Sequence, residues 1–353
     1  MPSWWDRFGQ EWASNGLTDD PTFAQSDAGW AFIGQAPPTV EQFNSMFQWS
    51  DDKDNWLYGQ IGNVITKSGV APNDNDLLQL YNAILGMSRT RLSNNMAVYV
   101  DATNGNDVTG TGIIGNPWKT IQHALAYLYG YIDPSGWNYI IQLAPGTYEA
   151  IYHTLPVNGA VILQGDSLNP RAYVIKNLNG SAIAVVSSAV LYVQGISVEG
   201  SGPDVDYTSM GNGIYTDRGG IVVFDAIAFG PCSRHHVWVG ISGNFWPWRG
   251  GATSYTIYGG AAAHMFVSLG GAATLIQLDL TIQNNPTFPN GFLTANQSGY
   301  IQCKDMTYTG TVVNTPKYWV ASAGQIYTGG QLGAIIPGDL AGYVDAASYG
   351  IFS

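Results

Sequence analysis

The densest run of ring and reactive side chains is Arg234-His235-His236-Val237-Trp238, followed closely by Phe245-Trp246-Pro247-Trp248-Arg249. Aromatic rings beside arginines suit carbohydrate. Sugar C–H faces pack on rings, and guanidinium groups hydrogen-bond hydroxyls or acidic groups. Trp238, Trp246, Trp248, Arg249 and Arg234 are therefore the candidate glycan-binding residues. A second reading has the same rings filling a subunit interface or an irregular loop. His235 and His236 make a poor metal pair, because neighbours on a strand point to opposite faces and no Cys or carboxylate completes a ligand set. No metal and no cofactor is expected.

Hydrolysis of a glycan needs two carboxylates flanking one groove. A polysaccharide lyase needs carboxylates beside a basic residue. Asp204 and Asp206, in the insertion GSGPDVDYTSMGNG, and Asp217 beside Arg218 are the available candidates. Such Asp residues equally hold turns in solvated loops. No Ser-His-Asp order, nucleophile elbow or Gly-rich phosphate loop occurs.

These residues sit in a region of repeating texture. From Val98 to about Gly310, short β-rich runs alternate with Gly, Asn, Asp and Ser clusters. YIIQL, VILQG, LYVQG, VVFDA, IQLDL and QCKDM align on a polar residue near each strand end: Gln142, Gln164, Gln194, Asp225, Asp279 and Asp305. The gaps are 22, 30, 31, 54 and 26 residues, with SYTIYGG around Ser254 as the missing member of the long step. A repeat in this range predicts stacked rungs. The expected fold is mainly β, a right-handed parallel β-helix of roughly seven rungs. The aligned polar residues would form a ladder at one corner, each bond contributing about 1 kcal/mol. Asp225, Asp279 and Asp305 are expected in one column.

Ahead of the rungs stands VYVDATNGNDVTGTGIIGNPWKTIQHALAYL: a strand, a Gly/Asn loop and one short amphipathic helix. Ile121, Ala124, Leu125 and Leu128 form its apolar side. An open β-helix end exposes unpaired backbone and apolar cross-section, so this helix is expected to cap it, with Asn106, Asp107 and nearby glycines turning the chain across.

Residues 1 to about 95 differ. Six of the twelve tryptophans fall there, including Trp56. Phe43, Met46, Phe47, Trp56, Leu57, Ile61, Val64 and Ile65 recur at helical spacing, and PNDNDLLQLYNAIL signals a second helix. The expected organisation is a head over 1–68, a helical neck over 69–96, the β-helix over 97–310 and a closing segment over 311–353.

Composition narrows the function. Asp and Glu outnumber Lys and Arg by 25 to 13, for a net charge of -12, which argues against a phosphate-binding surface and so against nucleic acid. No basic n-region with an apolar run opens the chain, and no stretch reaches the 18 or so apolar residues of a membrane span. Cys232 and Cys303 fit buried small hydrophobes in a chain that folds in a reducing cytosol.

YVDATNGND followed by GNPWKTIQHAL resembles the opening of pectin-lyase-like β-helix domains. Within them the chain resembles bacteriophage tail fibre and tail spike proteins. GWAFIGQAPPTVEQFNSMFQWSDDKDNWL with APNDNDLLQLYNAI is similar to their virion-attachment heads. YTIYGGAAAHMFVSLGGAATLIQLDLTI is similar to their last rungs, and IIPGDLAGYVDAASYGIFS to their C-termini. The resemblance implies a homotrimer on the virion, made in the host cytoplasm. Its head would attach to a tail or baseplate protein, and its β-helix would reach a host surface glycan or other receptor. It implies a receptor-binding tail fibre, or alternatively a tail spike depolymerase.

Overall fold

A computed structural model describes Leu17 and residues 39–67, 89–203, 210–248, 254–331 and 335–353. The chain divides into two compact units, Met1–Arg89 and Thr90–Ser353. In the first, helix α1 spans Val40–Lys67. Its start is a reciprocal capping box: Gln42 N–H donates to Thr39 Oγ1 at 3.2 Å, and Thr39 N–H to Gln42 Oε1 at 3.1 Å. Phe43, Met46, Phe47, Trp56 and Leu57 are exposed along it. The second helix expected over 73–85, and the tryptophans before Thr39, lie outside the described residues.

The second unit is a parallel β-solenoid of about seven turns. Each turn lays one strand into each of three parallel sheets, of ten, seven and eight strands. The ten-stranded sheet receives Met96–Val100 first and Ile351–Phe352 last, so the ladder runs on past residue 310, where the sequence placed a closing segment. Apolar side chains from all three sheets fill the interior, with Phe224 stacked on Phe245 at 4.4 Å and Phe288 against Phe292.

Helix α2, Ile121–Tyr131, closes the first turn as expected, burying Ile121, Ala124, Leu125 and Leu128. Asp107 sets its entry. Its Oδ1 accepts from the backbone N–H of Lys119 and Thr120, and its Oδ2 from the Thr120 hydroxyl. Thr120 Oγ1 then caps the helix at His123 N–H. Ahead of it, Trp118 is buried with its indole N–H on Gly110 O at 3.1 Å. Gly112 has φ +73, and a Cβ there would lie 2.8 Å from the Trp118 ring, so the glycine loop is shaped to that indole. Tyr129 O–H donates to His153 Nδ1, tying α2 to the next turn.

The polar ladder is real for four members and not for the rest. Gln142, Gln164, Gln194 and Asp225 are in register. The next equivalents in the ten-stranded sheet are Trp248, Ile276 and Lys304, the last two paired with each other. Asp305 lies one residue beyond that column. Asp279 opens a strand of the seven-stranded sheet, paired with Ser254 and Thr307. Ser254 therefore belongs to another sheet, and the missing member is Asn244–Pro247. What recurs instead is a corner between the eight- and ten-stranded sheets. A residue in the left-handed region (Arg218, Ser242, Leu269, Gln297, Ser322) is followed within two positions by Gly220, Gly243, Gly271, Gly299 or Gly324. A Cβ on Gly299 would lie 2.2 Å from Val267 O, and one on Gly324 2.2 Å from Ala295 O.

Two outcomes follow. Burying Ile121, Leu125 and Leu128 is worth about 2 kcal/mol each, so Leu125→Asp should leave the end uncovered and give aggregated protein; a soluble variant with an unchanged urea midpoint would show that α2 is dispensable. Gly299→Ala should lower the unfolding free energy by about 1–3 kcal/mol because a backbone carbonyl must move. Gly130→Ala in α2, with nothing within 4 Å, should be neutral or stabilising. Equal effects at the two glycines would remove the corner from the account.

Candidate functional site

The run from Arg234 to Arg249 does not form one loop. Its residues fall on three parts of the solenoid. Arg234 sits between the strands Ile227–Cys232 and His235–Val239, at the corner of the seven- and eight-stranded sheets. Trp238 is on the outer face of the eight-stranded sheet, while Trp246 and Trp248 flank the outer face of the ten-stranded sheet, both partly exposed. Trp248 packs edge-on against Tyr192 at 4.9 Å. Arg249, Asp204 and Asp206 lie outside the described residues.

His235 and His236 are both buried, in different surroundings. His235 Nδ1 faces Asn212 Oδ1 at 3.2 Å, and its ring stacks on Phe266. His236 points into the core among Phe229, Phe288 and His264. Its Nδ1 lies 2.9 Å from His264 Nδ1, and His264 Nε2 lies 2.9 Å from the Tyr255 hydroxyl. A neutral imidazole carries one proton, so the chain runs in either of two directions: Tyr255 O–H to His264 Nε2 with His264 Nδ1–H to His236 Nδ1, or His236 Nδ1–H to His264 Nδ1 with His264 Nε2–H to the Tyr255 oxygen. His236 Nε2 has no hydrogen-bonded partner and faces the backbone of Gly230, Gly259 and Gly260. Burial holds His235 and His236 down to about 3, His153 down to about 4 and His264 well below the usual range. The buried thiols of Cys232 and Cys303 are pushed up to about 12. These are core groups. Among the described residues no cluster of three or more His, Cys, Asp or Glu is arranged to hold a metal ion.

The feature the sequence reading missed is a column of rings. The strands of the eight-stranded sheet are mostly three residues long, so each offers one outward position. In register these are Tyr152, Ala184, Tyr215, Trp238, Phe266, Thr294, Trp319 and Tyr343. Tyr215 and Trp238 lie 4.6 Å apart, and Trp319 meets Tyr343 edge-on at 5.3 Å. Trp319 and Tyr343 are 42% and 52% exposed, so the lower end is open to solvent. Trp238 Nε1 is buried without an acceptor, which costs about 1–3 kcal/mol. The signal in the sequence was an aromatic residue in most turns, interrupted at Ala184 and Thr294, spaced by a whole coil and thus invisible to short-range periodicity.

Asp217 stands at the corner beside this column. Its Oδ2 accepts from the Tyr215 hydroxyl at 2.9 Å and lies 3.7 Å from Arg218 Nε, and its side chain is largely covered. Two further engaged carboxylates lie on the other sheets. Asp225, on the ten-stranded sheet, accepts from Gln194 Nε2. Glu199, on the seven-stranded sheet, pairs with Lys176 at 2.8 Å and accepts from the Tyr258 hydroxyl. Arg171 lies over the Tyr258 ring and donates to Gln283, clamping the loop before Tyr173 onto that sheet.

The buried histidines give a pH dependence with a definite sign. They are neutral in the fold, whereas unfolded histidine titrates near 6.5. Stability should be level above pH 7 and fall as pH drops from about 6.5 toward 4, by about 1.4 kcal/mol per pH unit for each histidine. Urea titrations across that range check it, and a level profile down to pH 4.5 would mean the histidines are charged or solvated.

No family model matches the chain, and no curated protein matches it. Among solved structures it is similar to the native GH136 lacto-N-biosidase from Eubacterium ramulus, at 10% identity over 98% of this chain and 81% of that one, with a TM-score of 0.27. At that TM-score the likeness carries no argument about activity.

Proposed function

We propose that the chain is a phage tail fibre, a homotrimer on the virion that recognises a host surface glycan and does not cut it. The head joins a tail or baseplate protein, and the solenoid presents the glycan site. The observation that carries the glycan reading is the column of rings at Trp238 and Phe266 and, beyond Thr294, at Trp319 and Tyr343. A one-residue-wide aromatic strip along the coil axis suits an extended saccharide chain, because each ring offers a flat apolar face to sugar C–H groups. The corners beside it supply polar groups, with Asp217 and Arg218 at one edge. The unpaired Trp238 N–H is a donor a bound hydroxyl can satisfy once the ring turns outward.

The non-cleaving reading rests on carboxylates among the described residues: Asp217 is committed to Tyr215 and Arg218, while Asp225 and Glu199 belong to the two other sheets. A glycosidase needs its two carboxyl groups roughly 5 to 9.5 Å apart across one sugar. The tail and virion part of the proposal rests on the motifs over 29–57, 71–84 and 335–353 that resemble phage fibres.

The test uses the full chain with host cells or extracted surface polysaccharide, following glycan retention and glycan chain length. Replacing Trp319 and Tyr343 by Ala should weaken retention about tenfold or more, at about 1 kcal/mol per stacked ring, with the melting temperature unchanged. Unaltered retention would remove the column from the site. Shortening of the glycan, abolished by Asp217→Asn, would replace the fibre with the depolymerase.

A further inference from the structure

We infer that the outer face of the ten-stranded sheet is where copies of this chain meet. It is a different surface from the ring column, and it extends the homotrimer reading by naming the contact.

Strands here are up to five residues long, so the face is broad where the eight-stranded face is narrow. One outward column runs Ala97, Ile140, Ile162, Tyr192 and Val223, on to Trp246, and continues in the later turns through Thr274, Gln302 and Tyr327. Beside it stand Val190, Ile221 and Asn244 on one flank and the Gln142-Gln164-Gln194-Asp225 ladder on the other. Among the outward strand positions from Ala97 to Ile351, only Asp225 and Lys304 carry charge. Asp225 already accepts from Gln194, and Lys304 lies 3.9 Å from Asp305. By contrast the seven-stranded face carries Lys176, Glu199 and Asp279.

Three properties together select a protein chain as occupant over a sugar. First, two of the amides are spent within the sheet, Gln142 Nε2 donating to Gln164 O and Gln194 Nε2 to Asp225, which leaves fewer free donors for sugar hydroxyls. Second, the apolar members are aliphatic and aromatic in mixture, and Ile162 and Val223 are already nearly covered by their neighbours. Third, the size fits. Ten strands at about 4.8 Å spacing and about 17 Å of strand width give roughly 700 Å² of face, close to the roughly 800 Å² each partner buries in a stable protein interface. A face of this area whose two charged groups, Asp225 and Lys304, already have partners within the chain matches a second copy of itself, because no charge is left buried and unpaired in the contact.

The test measures assembly and face accessibility in the full chain. Wild-type protein is expected to sediment as an oligomer. Trp246→Lys with Tyr327→Lys, both at partly exposed positions, should shift it to monomer at micromolar concentration with the circular-dichroism melting temperature held. Independently, a cysteine at Thr274 should react with maleimide at least tenfold more slowly than one at the exposed Thr281 of the seven-stranded face, the native cysteines being buried. A wild-type oligomer that survives the double substitution and labels equally at both cysteines overturns this interface while leaving the trimer standing. A wild-type monomer overturns both. Loss of glycan retention in the Trp319 and Tyr343 variant with assembly intact keeps the two faces separate.

Discussion

Each turn of this solenoid must bring its main chain within hydrogen-bonding distance of the turn before it on three sides at once. Parallel ladders allow one spacing, about 4.8 Å, so a side chain cannot intervene where the chain bends sharply from one sheet to the next. The corner between the eight- and ten-stranded sheets answers this by sequence in five turns, where the chain enters a left-handed conformation and then reaches a glycine whose missing Cβ leaves the carbonyl of the preceding turn in place. The ladder, the buried interior and the direction of every outward side chain depend on that approach. A chain with 44 glycines and few charges is what such a geometry requires.

The same constraint explains which parts of the fold were legible. The lid could be read from Ile121, Ala124, Leu125 and Leu128, because a helical stripe in a β-rich context has one use at an open end. The existence of stacked turns could be read from strand-length runs recurring every 20 to 30 residues. The alignment within each turn could not. Between the ten- and seven-stranded sheets the chain passes through a left-handed residue and one core residue: Ala226 then Ile227, Gln277 then Leu278, Asp305 then Met306. In the strand Ala272–Ile276 the polar residue drops out of the column and reappears as Asp279 past the turn. IQLDL and VVFDA look alike as strings while crossing the corner at different points. A polar residue near a strand end is a weak marker because side-chain solvation does not care which side of a corner it occupies. The glycine is a strong one because backbone sterics do.

The site shows the complementary limit. Residues adjacent in sequence, Trp238 and Trp246, are separated by a sheet corner, whereas Trp238 and Trp319 share a column though 81 positions apart. In a solenoid, neighbourhood is set by position within the turn. The histidine pair shows the same rule inside the core. His236 and His264 are 28 positions apart yet in contact, while His235 next door looks the other way. A search for clustered functional residues along the chain therefore finds groups that the fold disperses, and misses groups that it assembles one per coil.

Strand length then decides what each face can do. Three-residue strands give the eight-stranded sheet a single outward file, and the sequence places rings in it at Tyr215, Trp238, Phe266, Trp319 and Tyr343. Five-residue strands give the ten-stranded sheet up to three files, which are wide enough to oppose another protein surface and nearly free of charge. The seven-stranded sheet holds the Lys176–Glu199 pair and the Arg171–Tyr258 clamp, interactions made within the chain and facing water. A narrow ringed strip has too little area to hold a partner subunit, and a broad face whose amides bond each other has too few free donors to hold a sugar. Because one prism carries both, binding a long glycan along the first and packing copies against the second do not compete for the same side chains. Losing either one leaves the core, built from the inward positions of the same strands, unchanged.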